Sequence, residues 1–190
     1  MPFWNLSLFN VIHNLSGHSV FTDVLGIFFA EYLPYLLVIG FLVLVFRESG
    51  ARRRFYLFAE GTLAVILSRG ILTEGIRFFY KVARPFVLLG FSPLIGESGP
   101  SFPSGHMTWF FALSLAVWYA NRKWGIWYFA LSAIMGVARI YVGVHWPLDI
   151  VIGALIGVIS GWFIHWLFRD VRTALQLAPT KENESIAATS

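Results

Sequence analysis

Three short stretches hold most of the residues that could do chemistry together. Arg77, Lys81 and Arg84 recur at i, i+4 and i+7, just ahead of Pro85. A helix continuing that far would put all three cations on one face, where they repel unless an anion sits among them. Next, Pro103-Ser104-Gly105-His106 opens directly into an apolar run. Ser104 suits an N-cap and Gly105 permits close backbone approach, and the amides of a helix N-terminus attract an anion. Third, Arg139 is followed by His145-Trp146-Pro147-Leu148-Asp149. Pro147 suits a first helical turn, which places Asp149 four residues beyond His145. A carboxylate reaching one imidazole N–H fixes the tautomer and leaves the other nitrogen free to attack. Each stretch alone has an ordinary reading: headgroup anchoring, a plain helix start, an interfacial ion pair. Taken together they supply what phosphoryl transfer needs, namely cations and amides for the equatorial oxygens, a nucleophile, and an acid for the leaving oxygen.

The elements that must position them are membrane helices. The chain has 190 residues, 57% hydrophobic and only 13% charged, where a soluble domain carries about a quarter. Mean hydropathy is +0.70. About 20 apolar residues cross a bilayer, and five segments come near that: 24–46, 55–79, 107–120, 124–142 and 148–168. The expected fold is therefore an all-α, polytopic transmembrane bundle. Residues 3–15 read as an interfacial helix or part of a sixth, irregular segment, and Pro34 is expected to kink the first span. The expected domain runs from 1 to 173, with a polar, disordered, cytoplasmic tail over 174–190. No cleavable signal peptide and no internal repeat is expected.

Charge sets the expected topology. Arg47, Arg52, Arg53 and Arg54 follow the first span, Arg122 and Lys123 follow the third, and Arg169 and Arg172 flank the end. The positive-inside tendency puts these in the cytoplasm, so the connections over 80–103 and 143–147 face outward together with all three chemical stretches. This accounts for the net charge of +4 better than nucleic acid does, and the absence of cysteine excludes disulfides and thiolate metal sites.

At these residues the sequence resembles the type-2 phosphatidic-acid phosphatase family, whose fold is related to vanadium haloperoxidases. The family signature is Lys-x6-Arg-Pro, then Pro-Ser-Gly-His, then Ser-Arg-x5-His-x3-Asp. Here it reads Arg77-x6-Arg84-Pro85, Pro103-Ser104-Gly105-His106, and Ala138-Arg139-x5-His145-x3-Asp149. The resemblance implies that His145 attacks phosphorus to form a phosphohistidine, oriented by Asp149, while His106 protonates the leaving oxygen. It also implies that Arg77, Arg84, Ser104, Gly105 and Arg139 bind the phosphate, with Lys81 sharing the role of Arg77, and that neither metal nor cofactor is needed. Arg77 and Ala138 depart from the family's lysine and serine, and a planar guanidinium does not occupy a point charge's place identically. The short chain, Ile12-His-Asn-Leu-Ser, Asp23 and Glu31-Tyr32 look similar to bacterial undecaprenyl-diphosphate phosphatases. That branch implies a lipid diphosphate substrate, a bacterial inner membrane and an outward-facing site.

Other readings remain at this point. The same family acts on phosphatidylglycerophosphate, phosphatidate or lipid A. His106, His145 and Asp149 could hold a metal, although three nearby arginines suit an anion better. A non-enzymatic anion or lipid transporter could use the same cations, yet would more often show repeats. Arg69 is unexplained, with Glu31 or Glu74 as potential partners, and His165 reads as structural or interfacial.

Overall fold

The computed structural model describes residues 3–169, and the tail expected from 174 lies outside the described residues. Among the described residues there is no strand. The helices are α1 (Phe3–His13), α2 (Val20–Arg47), α3 (Ala51–Phe79), α4 (Pro85–Leu89), α5 (Gly105–Ala120), α6 (Arg122–Tyr141) and α7 (Pro147–Leu167). Three of them, α2, α3 and α7, are long and apolar enough to cross a membrane. Of the five expected spans, three meet the test of length and composition. At about 1.5 Å per residue, the 16 residues of α5 fall short of a hydrocarbon core of about 30 Å, and α6 carries Arg122, Lys123 and Arg139.

Helix α1 by itself, with 11 residues, reaches only about half that thickness. It is tied into the fold. Buried Asn5 accepts from the Leu148 N–H at 2.9 Å, satisfying a first-turn donor of α7. Phe9 is fully buried against Ile140 and Trp146, and His13 Nδ1 lies 2.8 Å from the Tyr141 carbonyl oxygen.

The two longest helices each contain a π-helical stretch. In α2 it spans Phe28–Tyr32, directly ahead of Pro34, which cannot donate to the helical ladder. The expected proline disturbance is therefore a widened turn within a continuous helix. In α3 it spans Ile66–Thr73 and includes Arg69.

The centre of the bundle is α5, packed against α3, α6 and α7. Its hydroxyls stitch these contacts: Thr73 Oγ1 donates to Thr108 Oγ1 at 3.0 Å, and Ser114 and Ser132 hydroxyls meet at 3.2 Å. One long, close approach is to α7, along Gly153, Gly157 and Gly161. A Cβ there would lie 2.8, 2.7 and 3.1 Å from the carbonyl oxygens of Ser104, Thr108 and Ala112. Small residues every fourth position on both helices let the backbones touch, which is how membrane helices gain dispersion energy without a hydrophobic driving force. One consequence is register, since the Ser104 N–H donates to the Asp149 carbonyl at 3.1 Å.

The expected common face for Arg77, Lys81 and Arg84 does not form. Helix α3 ends at Phe79, Tyr80 is extended (φ −131°, ψ 91°), and Arg84 is extended as the residue before Pro85 (φ −68°, ψ 156°). The proline clash with the preceding residue's helical conformation accounts for Arg84, whereas the helix has already ended at Phe79.

Gly157 supplies a test of the α5–α7 contact. Gly157→Val should cost about 1–3 kcal/mol by overpacking against backbone that cannot yield. Gly75→Ala, where a Cβ meets nothing within 4 Å, should not destabilise the protein. Thermal unfolding of detergent-solubilised protein should separate the two by several degrees, and equal midpoints would refute the close-packing account.

Candidate active site

The site is built at the end of the bundle where the α3–α5 connection, the start of α5, and the α6–α7 turn meet. Arg84, the N-cap residue of α4, is 2% exposed although it lies in a connection. Its Nε donates to the Gly99 carbonyl at 3.0 Å, Nη1 to Val144 O at 2.9 Å, and Nη2 to Ser98 O at 3.0 Å. One guanidinium thus fastens the 98–99 segment to the α6–α7 turn. Burial lowers its pKa to about 10, with Glu97 opposing the shift, so it stays charged at neutral pH.

Arg139, in the last turn of α6, is 1% exposed. Its Nη1 donates to the Ala30 carbonyl at 3.2 Å, in the π-helical turn of α2, and faces His106 Nε2 at 3.4 Å. Nη2 pairs with Glu97 Oε2 at 2.8 Å, while Glu97 Oε1 lies 3.3 Å from Arg84 Nη2. Glu97 therefore bridges the two buried arginines. Sequence reasoning missed it, because it stands in an irregular stretch with no periodicity or motif to single it out.

His145 is 1% exposed. Its Nδ1 lies 3.3 Å from Asp149 Oδ2 and 3.4 Å from Ser101 Oγ, and Nε2 points away from them, 3.5 Å from Arg84 Nη1. Asp149 Oδ2 also accepts from the Trp146 N–H at 2.9 Å and from the Ser101 hydroxyl. An acceptor so placed favours a proton on Nδ1 and a lone pair on Nε2. Burial holds His145 well below its ordinary pKa, and the charges of Arg139 and Arg84 act in the same direction. The imidazole is consequently neutral at pH 7. Ser101 is a second residue that no sequence signal marked.

Both histidines line one cavity of about 410 Å³, together with Arg69, Arg77, Glu97, Gly105 and Arg139. Glu31, Tyr35 and Trp109 belong to the same wall. Arg77 reaches it while Nη2 donates to the Pro103 carbonyl at 3.0 Å. Ser104 is buried beside the site as the N-cap residue of α5, but its hydroxyl makes no cap bond and has no hydrogen-bond partner. Lys81 is exposed on the extended segment after α3 and is not among the cavity-lining residues. Arg69 pairs with Glu74, one of its two expected partners, and His165 pairs with Glu60 and stacks on Tyr119. Ala138 packs with Ala30, Val142 and Val144, so an apolar cluster takes the family serine's place.

The residues brought together can surround a tetrahedral oxyanion with cations and present one imidazole nitrogen to its centre. A divalent cation suits the set poorly, since Glu97 and Asp149 already face positive or donor groups. Among the described residues no group of three or more His, Cys, Asp and Glu could hold a metal ion.

The chain is 30% identical over 164 residues to the bacitracin transport permease protein BcrC of Bacillus licheniformis, covering 85% of this chain and 79% of that one. It is 29% identical over 170 residues to the undecaprenyl-diphosphatase BcrC of Bacillus subtilis (strain 168), covering 88% and 85%. The crystal structure of Aquifex aeolicus LpxE superposes with a TM-score of 0.72 at 29% identity, over 86% of this chain and 95% of that one. Residues 58–173 match the PAP2 superfamily and include every residue of the three motifs. The chain belongs to the PAP2 superfamily.

Proposed function

We propose that this chain is a membrane lipid phosphatase that converts undecaprenyl diphosphate to undecaprenyl phosphate and inorganic phosphate through a phosphohistidine on His145. The observation that carries the reading is His145 itself: Nδ1 faces Asp149, Nε2 lies 3.5 Å from Arg84 Nη1, and the residue lines a cavity with Arg77, Arg139 and His106. In the proposed reaction Nε2 attacks the terminal phosphorus while Arg77, Arg84 and Arg139 balance the charge of its oxygens. The anhydride P–O bond breaks, and His106 delivers a proton to the departing oxygen. Water, deprotonated by His106, then attacks the phosphohistidine and releases inorganic phosphate. Asp149 stabilises the charge that develops on the imidazole.

The substrate reading draws on the undecaprenyl-diphosphatase of Bacillus subtilis, similar over most of both chains. The superfamily also acts on phosphate monoesters of lipids, and phosphatidylglycerophosphate, phosphatidate or lipid A is the alternative substrate.

Five helices are proposed to cross the bilayer of a bacterial inner membrane, with α5 and α6 completing the three long spans. The site would face outward and the C-terminus the cytoplasm. Arg47, Arg52, Arg53, Arg54, Arg122, Lys123 and Arg169 all flank helix ends opposite to the site, which supports that orientation. Residues 1–173 would form one domain.

Phosphate release from undecaprenyl diphosphate, phosphatidylglycerophosphate and phosphatidate, assayed side by side on purified protein, tests the substrate. The diphosphate should be preferred, and a faster monoester would replace it with the alternative. His145→Ala should lower turnover by about 10³-fold or more while the protein remains folded in detergent. Substantial turnover would remove the nucleophile.

Asp149→Asn should lower kcat by roughly 10²-fold or more, because an amide no longer fixes the tautomer or balances imidazolium charge. A change under threefold would exclude the orienting role. Turnover in excess chelator should match that without it, and loss restored by added divalent metal would overturn the metal-free mechanism.

A further inference from the structure

Arg69 lies within a membrane-spanning helix, lines the reaction cavity, and belongs to none of the three motifs. A charge at that depth is costly and needs a counter-charge or a task. Glu74 supplies a counter-charge, but Glu74 is half exposed and also lies 3.6 Å from Arg77 Nη1. The ion pair alone does not explain where the guanidinium is held. Its Nε is 2.6 Å from where a Cβ of Gly105 would stand, so the side chain is laid directly against the first residue of α5. Gly105 is followed by His106, and both line the cavity with Arg69. The π-helical stretch Ile66–Thr73 displaces the helical ladder where Arg69 projects, and such stretches recur at functional sites.

The proposed reaction puts charge in two places. The terminal phosphate meets His145 and the arginines on its side of the cavity. As the anhydride bond breaks, its electron pair goes to the bridging oxygen, and the departing group is a lipid phosphate carrying oxygens of its own. His106 protonates that oxygen, so the departing phosphate must lie on the side of His106, next to Gly105 and Arg69. We infer that Arg69 binds the non-transferred phosphate of a diphosphate lipid and makes the site selective for diphosphates over monoesters. The inference rests on the phosphatase reading above and deepens it. A monoester has no second phosphate to meet this guanidinium, whereas a diphosphate gains a charge-assisted contact that strengthens as the leaving group gains charge.

Farnesyl diphosphate and farnesyl monophosphate share one chain and differ only in that phosphate, so they isolate the effect. With purified protein in detergent, Arg69→Gln should lower kcat/KM on the diphosphate at least about tenfold more than on the monophosphate, the scale of one charged hydrogen bond. Arg69→Lys should recover part of the lost preference. Equal losses on both substrates, or an unchanged ratio, would overturn the inference and leave Arg69 as a structural partner of Glu74. Inhibition provides a readout should Arg69→Gln fail to fold. Inorganic diphosphate should inhibit the wild-type protein more strongly than orthophosphate, and Arg69→Lys should narrow the gap; equal inhibition of the wild type sinks the idea. A wild-type protein inactive on every lipid phosphate would bring down the phosphatase reading and this inference together. Hydrolysis of both farnesyl substrates with the ratio unmoved would bring down this inference alone.

Discussion

Two buried guanidinium groups, Arg84 and Arg139, are the constraint on which the rest of the site depends. Each is withdrawn from water almost completely, a state that costs several kcal/mol per ion unless partners compensate. The compensation defines the architecture. Arg84 gathers carbonyls from Ser98, Gly99 and Val144, Arg139 takes the Ala30 carbonyl from a π-helical turn, and Glu97 joins the two. Segments with no regular hydrogen bonding of their own thereby acquire fixed positions. The same side chains hold the functional turn together and present its charge, so removing either would loosen the scaffold as well as weaken anion binding.

The helices set the height at which their own chemical groups stand. The α5–α7 contact sets the level of His106 against that of His145 and Asp149, and it can do so because three glycines on α7 face three carbonyls on α5 without an intervening side chain. A bulkier stripe would push α7 outward and slide its first turn relative to Ser104. Asn5 of α1 reinforces that turn from outside by accepting the Leu148 N–H, and Trp146 Nε1 does so from within by donating to Ala83 O at 3.0 Å. Catalytic geometry in this fold is a by-product of backbone contact at the helix ends.

What the sequence made legible follows the same division. His145 and Asp149 lie four residues apart across a proline-started turn, and Ser104-Gly105-His106 opens a helix, so local spacing alone suggests their arrangement. The all-helical class was equally plain from the apolar blocks. Lys81 was misplaced on a shared face because periodicity was extended up to Pro85, whereas the helix ends at Phe79, where no sequence signal marks a stop. Glu97 and Ser101 stayed invisible for a different reason: their partners are distant in sequence, and only the closed fold shows that a carboxylate is needed between two arginines. The α7 glycines at 153, 157 and 161 were legible in principle as a small-residue repeat of period four. Helix α5, with 16 residues, is shorter than the three long helices, so its apolar run alone did not establish a span.

The bridge made by Glu97 bears on how such a site can both bind and release phosphate. Two arginines with no anion between them would carry two unopposed charges in a region of low dielectric, where their repulsion is far stronger than in water. A carboxylate between them lowers that cost before substrate arrives, and at 27% exposure it is the least buried of the three charged groups. An incoming phosphate then replaces one anion by another instead of entering an unstable cationic cage. Net affinity is the difference between two favourable pairings, smaller than either alone. In the proposed reaction, release after hydrolysis would gain from the same exchange if Glu97 re-formed its pairs with Arg84 and Arg139 as phosphate left. A site built from arginines alone would hold its product tightly and turn over slowly, whereas one with an internal carboxylate can be strongly cationic and still let inorganic phosphate go.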